Sequence, residues 1–127
     1  GEGMIGTADG YADFLRMLLN HGELNGHRFL NESSVKEIYA PHTQLENEYG
    51  YNGYNLWITS DLYKEKGFGD GGLWSGGGYE GTHFWIDPKR DFVGLIMTQM
   101  FETPKAGYGR DNEIRGEVYR QIFKNEK

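Results

Sequence analysis

The residues most able to do chemistry lie in one stretch, Gly71-Gly72-Leu73-Trp74-Ser75-Gly76-Gly77-Gly78-Tyr79-Glu80-Gly81-Thr82-His83-Phe84-Trp85-Ile86-Asp87-Pro88. Glycines packed ahead of a strand let the backbone approach a ligand closely and free amides to face it. Amides aimed into a cleft can stabilise an oxyanion, with Trp74 and Tyr79 as an apolar wall. A flexible connector with a bulge has the same composition, so the composition leaves both readings open. A phosphate loop is a poor match, because no Gly-Lys-Ser/Thr follows and no G-x-G-x-x-G opens a helix. Ser33-Ser34-Val35-Lys36 places a hydroxyl and an amine on neighbouring turns of one helix, where a lysine could activate a serine. A short helix beside a loop offers no desolvated pocket, so we read this motif as a decoy: helix N-terminal residues and a solvated lysine. His21, His27, His42 and His83 lack His-x-His or HExxH spacing and give a metal site little support. His21 suits a helix C-terminus, where the dipole favours a cation. His42 and His83 could each line a cleft, although a surface or half-buried place is the simpler reading. Asn31-Glu32-Ser33 is formally a glycosylation sequon and carries no weight without signs of export.

The elements that must position these residues follow from periodicity. Tyr11, Phe14, Leu15, Leu18 and Leu19 recur at i, i+3, i+4, i+7 and i+8, one apolar face of a helix. Thr7 or Asp9 can cap it, and His21-Gly22 stops it. Asn25-Gly26 predicts a tight turn within 23–30. A short helix is expected from Glu32 to Ala40, with Asn31 as cap and Pro41 as terminator. Tyr54, Leu56 and Ile58 then alternate with Asn55, Trp57 and Thr59, which predicts a strand. Gly67 to Gly81 holds eight glycines in fifteen residues. Beyond it, Thr82–Ile86 and Phe92–Gln99 are β-prone runs joined by a polar, Pro88-containing tip. Ile114, Val118 and Ile122, with Tyr119 and Phe123 beside them, predict a C-terminal helix with one buried stripe. The order helix, helix, strand, strand, strand, helix reads as α+β: an antiparallel sheet with flanking helices.

Composition bounds the function. The 127 residues suit one domain or a piece of a larger one. A net charge of −6 without a basic cluster argues against nucleic acid or anionic lipid as partner. The absence of cysteine removes disulfides, Cys-ligated zinc and a thiol nucleophile. The longest apolar run, Phe92 to Met97, is far too short for a membrane span. No cofactor is expected.

Taken in order, these pieces resemble the serine β-lactamase-related hydrolases: class C β-lactamases, family VIII esterases and penicillin-binding relatives. Gly3-Met4-Ile5-Gly6-Thr7-Ala8-Asp9-Gly10-Tyr11-Ala12-Asp13-Phe14-Leu15-Arg16-Met17-Leu18-Leu19-Asn20 looks like their G-G-L-x-S-T-A-x-D-Y-A-R-F-x-x-M-L-L-N helix. Gly22-Glu23-Leu24-Asn25-Gly26 and Pro41-His42-Thr43 fit the stretches that follow. Gly81-Thr82-His83-Phe84-Trp85-Ile86-Asp87-Pro88 and Asp91 to Gln99 look like the family's last β-hairpin.

The resemblance implies acyl-enzyme hydrolysis of an ester, amide or β-lactam. In the family a Ser of S-x-x-K attacks the carbonyl and its Lys and a Tyr of Y-x-N move protons. A third box on a strand (K-T-G, H-G-G or W-G-G) lines the pocket, and a strand amide completes the oxyanion hole. Here the third box and oxyanion-side wall fall within Trp74, Ser75, Gly76, Gly77, Gly78 and Tyr79. Trp74-Ser75-Gly76 matches W-x-G, whereas ungapped counting from Pro88 gives Gly76-Gly77-Gly78. No Lys or His occupies the box, so an ester or peptide suits it better than a carboxylate-bearing β-lactam. The family's S-x-x-K and Y-x-N lie upstream of the helix that begins here near Thr7. Residues 1–127 therefore read as the C-terminal fragment of one β-lactamase/transpeptidase-like domain, helical over 1–45, with the sheet and last helix over 46–127. Such a fragment carries no catalytic residue, should be inactive alone, and could form a homodimer through an exposed sheet edge. Family habit implies a periplasmic or extracellular place. The rival reading is a non-catalytic module whose aromatic-glycine cleft holds a peptide or glycan. Upstream sequence decides between them: a reading frame that continues through S-x-x-K supports the enzyme.

Overall fold

The computed structural model describes residues 5–43, 50–78, 81–98 and 110–124. Helix α1 (Ala8–Leu19) is capped by Thr7, whose Oγ1 accepts from the Gly10 amide at 3.1 Å. It ends as predicted: His21 and Gly22 both take positive φ, and the Gly22 amide donates to Met17 O. Gly22 is required there, because a Cβ would lie 2.2 Å from Leu30 O. Strands β1 (Glu23–Leu24) and β2 (His27–Arg28) form the predicted hairpin, with Asn25 and Gly26 both left-handed. Helix α2 (Glu32–Tyr39) follows.

The main sheet is a five-stranded antiparallel meander: β3 (Gly50–Asn52), β4 (Trp57–Thr59), β5 (Trp74–Gly77), β6 (His83–Asp87) and β7 (Phe92–Ile96). A four-residue helix, α3 (Leu62–Glu65), lies between β4 and β5, and α4 (Arg110–Ile122) closes the described chain. The fold is α+β with an antiparallel sheet and flanking helices, as expected.

Strand β6 is buried at all five positions because both sheet faces are covered. Its pleat sends Phe84 and Ile86 to the α1 side, into a core with Leu15, Leu18, Val35, Leu56, Ile58 and Trp74. Each such side chain contributes about 1.5–3 kcal/mol on full burial. The pleat sends His83, Trp85 and Asp87 the other way, where Arg115 and Tyr119 of α4 meet His83 and Asp87.

Four expectations need correction. The stripe on α1 is turned so that Leu15, Met17 and Leu18 are buried, while Tyr11 and Phe14 are 37% and 45% exposed. Only Trp57–Thr59 of the expected 54–59 strand is extended; Tyr54 and Asn55 form the turn of a β3–β4 hairpin, with Asn55 at φ 56°. Helix α4 exists but is rotated about one residue: Ile114 and Ile122 face outward, and Arg115 and Gly116 are buried. The inward face is polar because the sheet face beneath it presents a carboxylate and an imidazole, which aliphatic side chains could not satisfy. The strand expected to reach Gln99 ends at Ile96, and Gln99 itself lies outside the described residues.

Candidate functional site

The residues expected to form the third box follow one another along β5, from a buried root to an exposed tip. Trp74 is the root. The pleat turns it to the α1 side, where it is 5% exposed and its ring stacks on Tyr39 with centroids 4.3 Å apart. The expected pocket wall is thus a core residue that anchors the strand. Ser75 faces the opposite way and is also buried, its hydroxyl donating to Trp57 O at 3.1 Å. Gly76 lies beneath the Phe84 ring of the neighbouring strand, and a Cβ there would come within 2.7 Å of it. Gly77 and Gly78 are exposed. A Cβ on Gly77 would lie 3.1 Å from Thr82 O and 3.2 Å from His83 Nδ1, whereas one on Gly78 would meet nothing within 4 Å. Tyr79 lies outside the described residues.

Pairing determines which way the backbone points. Strand β5 pairs with β6 as far as Gly77↔His83, but its pairing with β4 ends at Trp57↔Ser75. The Gly78 amide donates to Thr82 O at 2.8 Å, which fixes the alternation: even-numbered residues of the box bond toward β6. The Gly77 N–H and C=O therefore point to the β4 side, past the last β4 pair. A main-chain edge without side chains can accept a ligand as an added strand. Neither Gly76, Gly77 nor Gly78 has a positive φ, so close approach is what the missing side chains provide here.

The serine–lysine pair of α2 takes no part. Ser33 and Lys36 are exposed, and the lysine Nζ is 3.2 Å from Glu32 Oε1, the ordinary pairing of a solvated helix face. His21 and His27 are also exposed, and the His42 ring stacks on Tyr54 with its Nε2 2.7 Å from Glu37 O. Among the described residues no group of three His, Cys, Asp or Glu could hold a metal ion. No helix among them is long and apolar enough to cross a membrane.

Sequence reasoning missed the polar cluster beneath α4. Asp87 is 1% exposed; its Oδ2 accepts from Tyr119 at 2.7 Å and from Arg90 at 2.9 Å, while its Oδ1 takes the Lys89 and Arg90 amides. Arg90 also donates to Asp70 at 2.7 Å, with Lys64 and Lys89 each 3.6 Å from that carboxylate. Desolvation works to raise the Asp70 pKa, but the Arg90 hydrogen bond and charge, aided by Lys64 and Lys89, hold it below the ordinary value. Burial, then the bond to Asp87, pushes the Tyr119 phenol well above its ordinary pKa. Arg115 is 1% exposed and donates from Nε to Phe68 O at 2.6 Å and from Nη2 to Asn112 Oδ1 at 2.6 Å; its Nη1 lies 3.3 Å from His83 Nε2. The only sequence signal was that His83 and Asp87 stand four residues apart in one β-prone run, which puts both on one face of a strand.

A cleft of about 490 Å³ lies at the other end of β6, lined by Leu19, Asn20, His21, Glu23, Asn25, Pro88 and Asp91. It is remote from the glycine box along the strand and contains none of the expected site residues.

The model of the Beta-lactamase family matches residues 1–117, and the chain belongs to that family. Two Mycobacterium tuberculosis proteins are similar to it: Protein Rv1367c and Uncharacterized protein MT1414. Each is 32% identical over 113 residues, covering 78% of this chain and 28% of the relative. The chain thus spans little more than a quarter of the length of these curated relatives. Their names assign no substrate.

Proposed function

We propose that this chain is the C-terminal part of a serine acyl hydrolase that works through an acyl-enzyme, and that it supplies the third-box strand and oxyanion-side wall. The observation that carries the reading is the side-chain-free edge at Gly77, which is exposed and, among the described residues, lies past the last β4 pair. An acyl carbonyl laid along that edge would meet main-chain amides rather than side chains, the arrangement that stabilises a developing oxyanion. Without a lysine in the box, an ester or peptide fits better than a substrate held by its carboxylate. The serine nucleophile and its proton-transfer partners belong to the longer family domain, so this chain alone is inactive. Among the described residues β7 pairs only with β6, and Met97 at its end is 52% exposed. A second copy covers that edge in the isolated chain, and preceding family segments cover it in the longer one.

The test compares the chain with a version extended upstream through S-x-x-K and Y-x-N. The isolated chain should leave chromogenic esters and cephalosporins intact and sediment as a dimer. The extended chain should hydrolyse the ester as a monomer. In the extended chain Gly77→Ala keeps its N–H but sets a methyl group 3.1 Å from Thr82 O, and displacing that amide from the oxyanion position should lower kcat by about 10²–10³. Full activity in both Gly77→Ala and Gly78→Ala would make the stretch a mere connector. Hydrolysis by the isolated chain that disappears in Ser33→Ala would overturn the assignment of the nucleophile.

A further inference from the structure

We propose that Arg115 of α4 is a positioning residue for the glycine box: it fixes the His83 imidazole as the tautomer protonated on Nδ1 and sets that edge of the ring against Gly77. The inference rests on Gly77 being part of the pocket, but its test needs no turnover.

The chemistry of the contact is one-sided. A guanidinium has five N–H donors and no acceptor, so the 3.3 Å approach of Arg115 Nη1 to His83 Nε2 uses the Nε2 lone pair. Nε2 then carries no hydrogen, and the ring hydrogen must reside on Nδ1. A protonated ring would turn an N–H toward a buried cation. In water the Nε2–H form is the commoner tautomer, so the protein has reversed the usual preference.

Three further contacts keep the guanidinium in place. Its Nε donates to Phe68 O, its Nη2 donates to Asn112 Oδ1, and its Cζ lies over the Tyr63 ring, 5.1 Å from the centroid. The next residue, Gly116, sits so close to Gly67 that a Cβ would be 2.3 Å from Gly67 O. Helix α4 is therefore held against the 67–68 backbone, and the arginine has little room to swing. At the far side of the ring, His83 Nδ1 is 3.2 Å from the place a Gly77 Cβ would occupy. Since His83 and Gly77 are cross-strand partners, the ring lies directly beside the open edge of the box. A ring rotated or retautomerised there would present a different surface to Gly77.

The experiment is a long-range ¹H–¹⁵N spectrum of the histidine rings in the labelled chain at neutral pH, with His83 assigned by its loss in His83→Asn. The expected result is a neutral ring biased at least about tenfold to Nδ1–H, since the other form forfeits a charge-assisted hydrogen bond. Arg115→Met should abolish that bias and shift the Gly77 and Gly78 amide signals, leaving distant Gly53 unmoved. Gly77→Ala should shift the His83 ring signals, and Gly78→Ala should not. An Nε2–H or doubly protonated His83 in the unaltered chain overturns the inference, as does a folded Arg115→Met with the same tautomer. If Arg115→Met fails to fold, the unaltered spectrum and the two glycine variants decide it. Failure of the ester assay with an Nδ1–H ring would instead overturn the hydrolase reading and leave the tautomer intact.

Discussion

The two faces of the five-stranded sheet are built on opposite principles, although the same strands supply both. On the α1 side Phe84, Ile86, Trp74 and Ile58 meet Leu15, Leu18 and Val35 in a core without charges. On the α4 side the neighbouring residues of β6, His83 and Asp87, meet Arg115, Arg90 and Tyr119 through hydrogen bonds of 2.7–3.3 Å. Burial of apolar area is non-directional and tolerates swaps of similar volume. A buried carboxylate needs its donors at fixed places and is costly when they are missing. The first face therefore gives cohesion, and the second gives register: it fixes how α4 sits on the sheet.

Paired substitutions on adjacent residues of β6 should break the comparison most sharply. Asp87→Asn keeps the shape but turns an amide toward Tyr119 and Arg90, or toward the two turn amides. It should cost about 3 kcal/mol, in the range for disrupting a buried ion pair. Ile86→Val removes one methylene from a side chain that is 0% exposed and should cost only about 0.5–1.5 kcal/mol. Urea denaturation of both variants measures the difference, and equal losses would mean that the polar face is no more exacting than the apolar one.

The glycines under aromatic rings sharpen the comparison, one on each face. Gly94 lies opposite Trp85 on the α4 side, where a Cβ would be 2.2 Å from the indole. Gly76 lies under Phe84 on the α1 side, where the closest approach would be 2.7 Å. Overpacking of this kind costs about 1–3 kcal/mol, and Gly94→Ala should fall at the upper end because Trp85 is 2% exposed. Gly76→Ala should fall lower, since Phe84 is 9% exposed and near the edge of its core. Gly78→Ala should stay within about 0.5 kcal/mol, as at other open surface positions. Thermal melts of the three variants should rank in that order.

The smallest effect expected is a pH dependence confined to the polar face. Tyr119 has a raised pKa in the folded chain through burial and its bond to Asp87, so the unfolded chain ionises first as pH rises. Its contribution to stability is fully present below the ordinary tyrosine pKa and is lost progressively above about pH 10. Tyr119→Phe should flatten the alkaline limb of the stability profile, although it lowers stability at neutral pH by removing the bond. Asp70 behaves in the opposite sense. Its lowered pKa makes its contribution present above the ordinary carboxylate pKa and lost as pH falls through the folded value.

Sequence reasoning read the two faces unequally. The turn signals Asn25-Gly26 and His21-Gly22, the Thr7 cap and the β6–β7 hairpin about Pro88 were legible because each rests on φ preferences or caps within a few residues. The apolar run of α1 was legible in extent but not in rotation, since a helix with aromatics on the margin of its stripe has several admissible orientations. The inward face of α4 was misread, because a count of aliphatic residues favours Ile114, Val118 and Ile122. The face actually used carries Arg115, Gly116 and Tyr119. The glycine stretch was recognised as a candidate site, but composition could not say where β4 would stop pairing.

Composition and local spacing thus determined the α+β class and most element positions, because those depend on period, turn chemistry and backbone freedom. The tertiary structure alone decided that Trp74 is an anchor, that the Gly77 amide points past the end of β4, and that α4 docks through a buried arginine. Each of these depends on a partner distant in sequence: Trp74 on Tyr39, the Gly77 edge on Trp57, whose pairing with Ser75 is the last of the β4 ladder, and Arg115 on Phe68. A polar group buried between such partners is stable only once all of them are in place, and no local pattern records that condition.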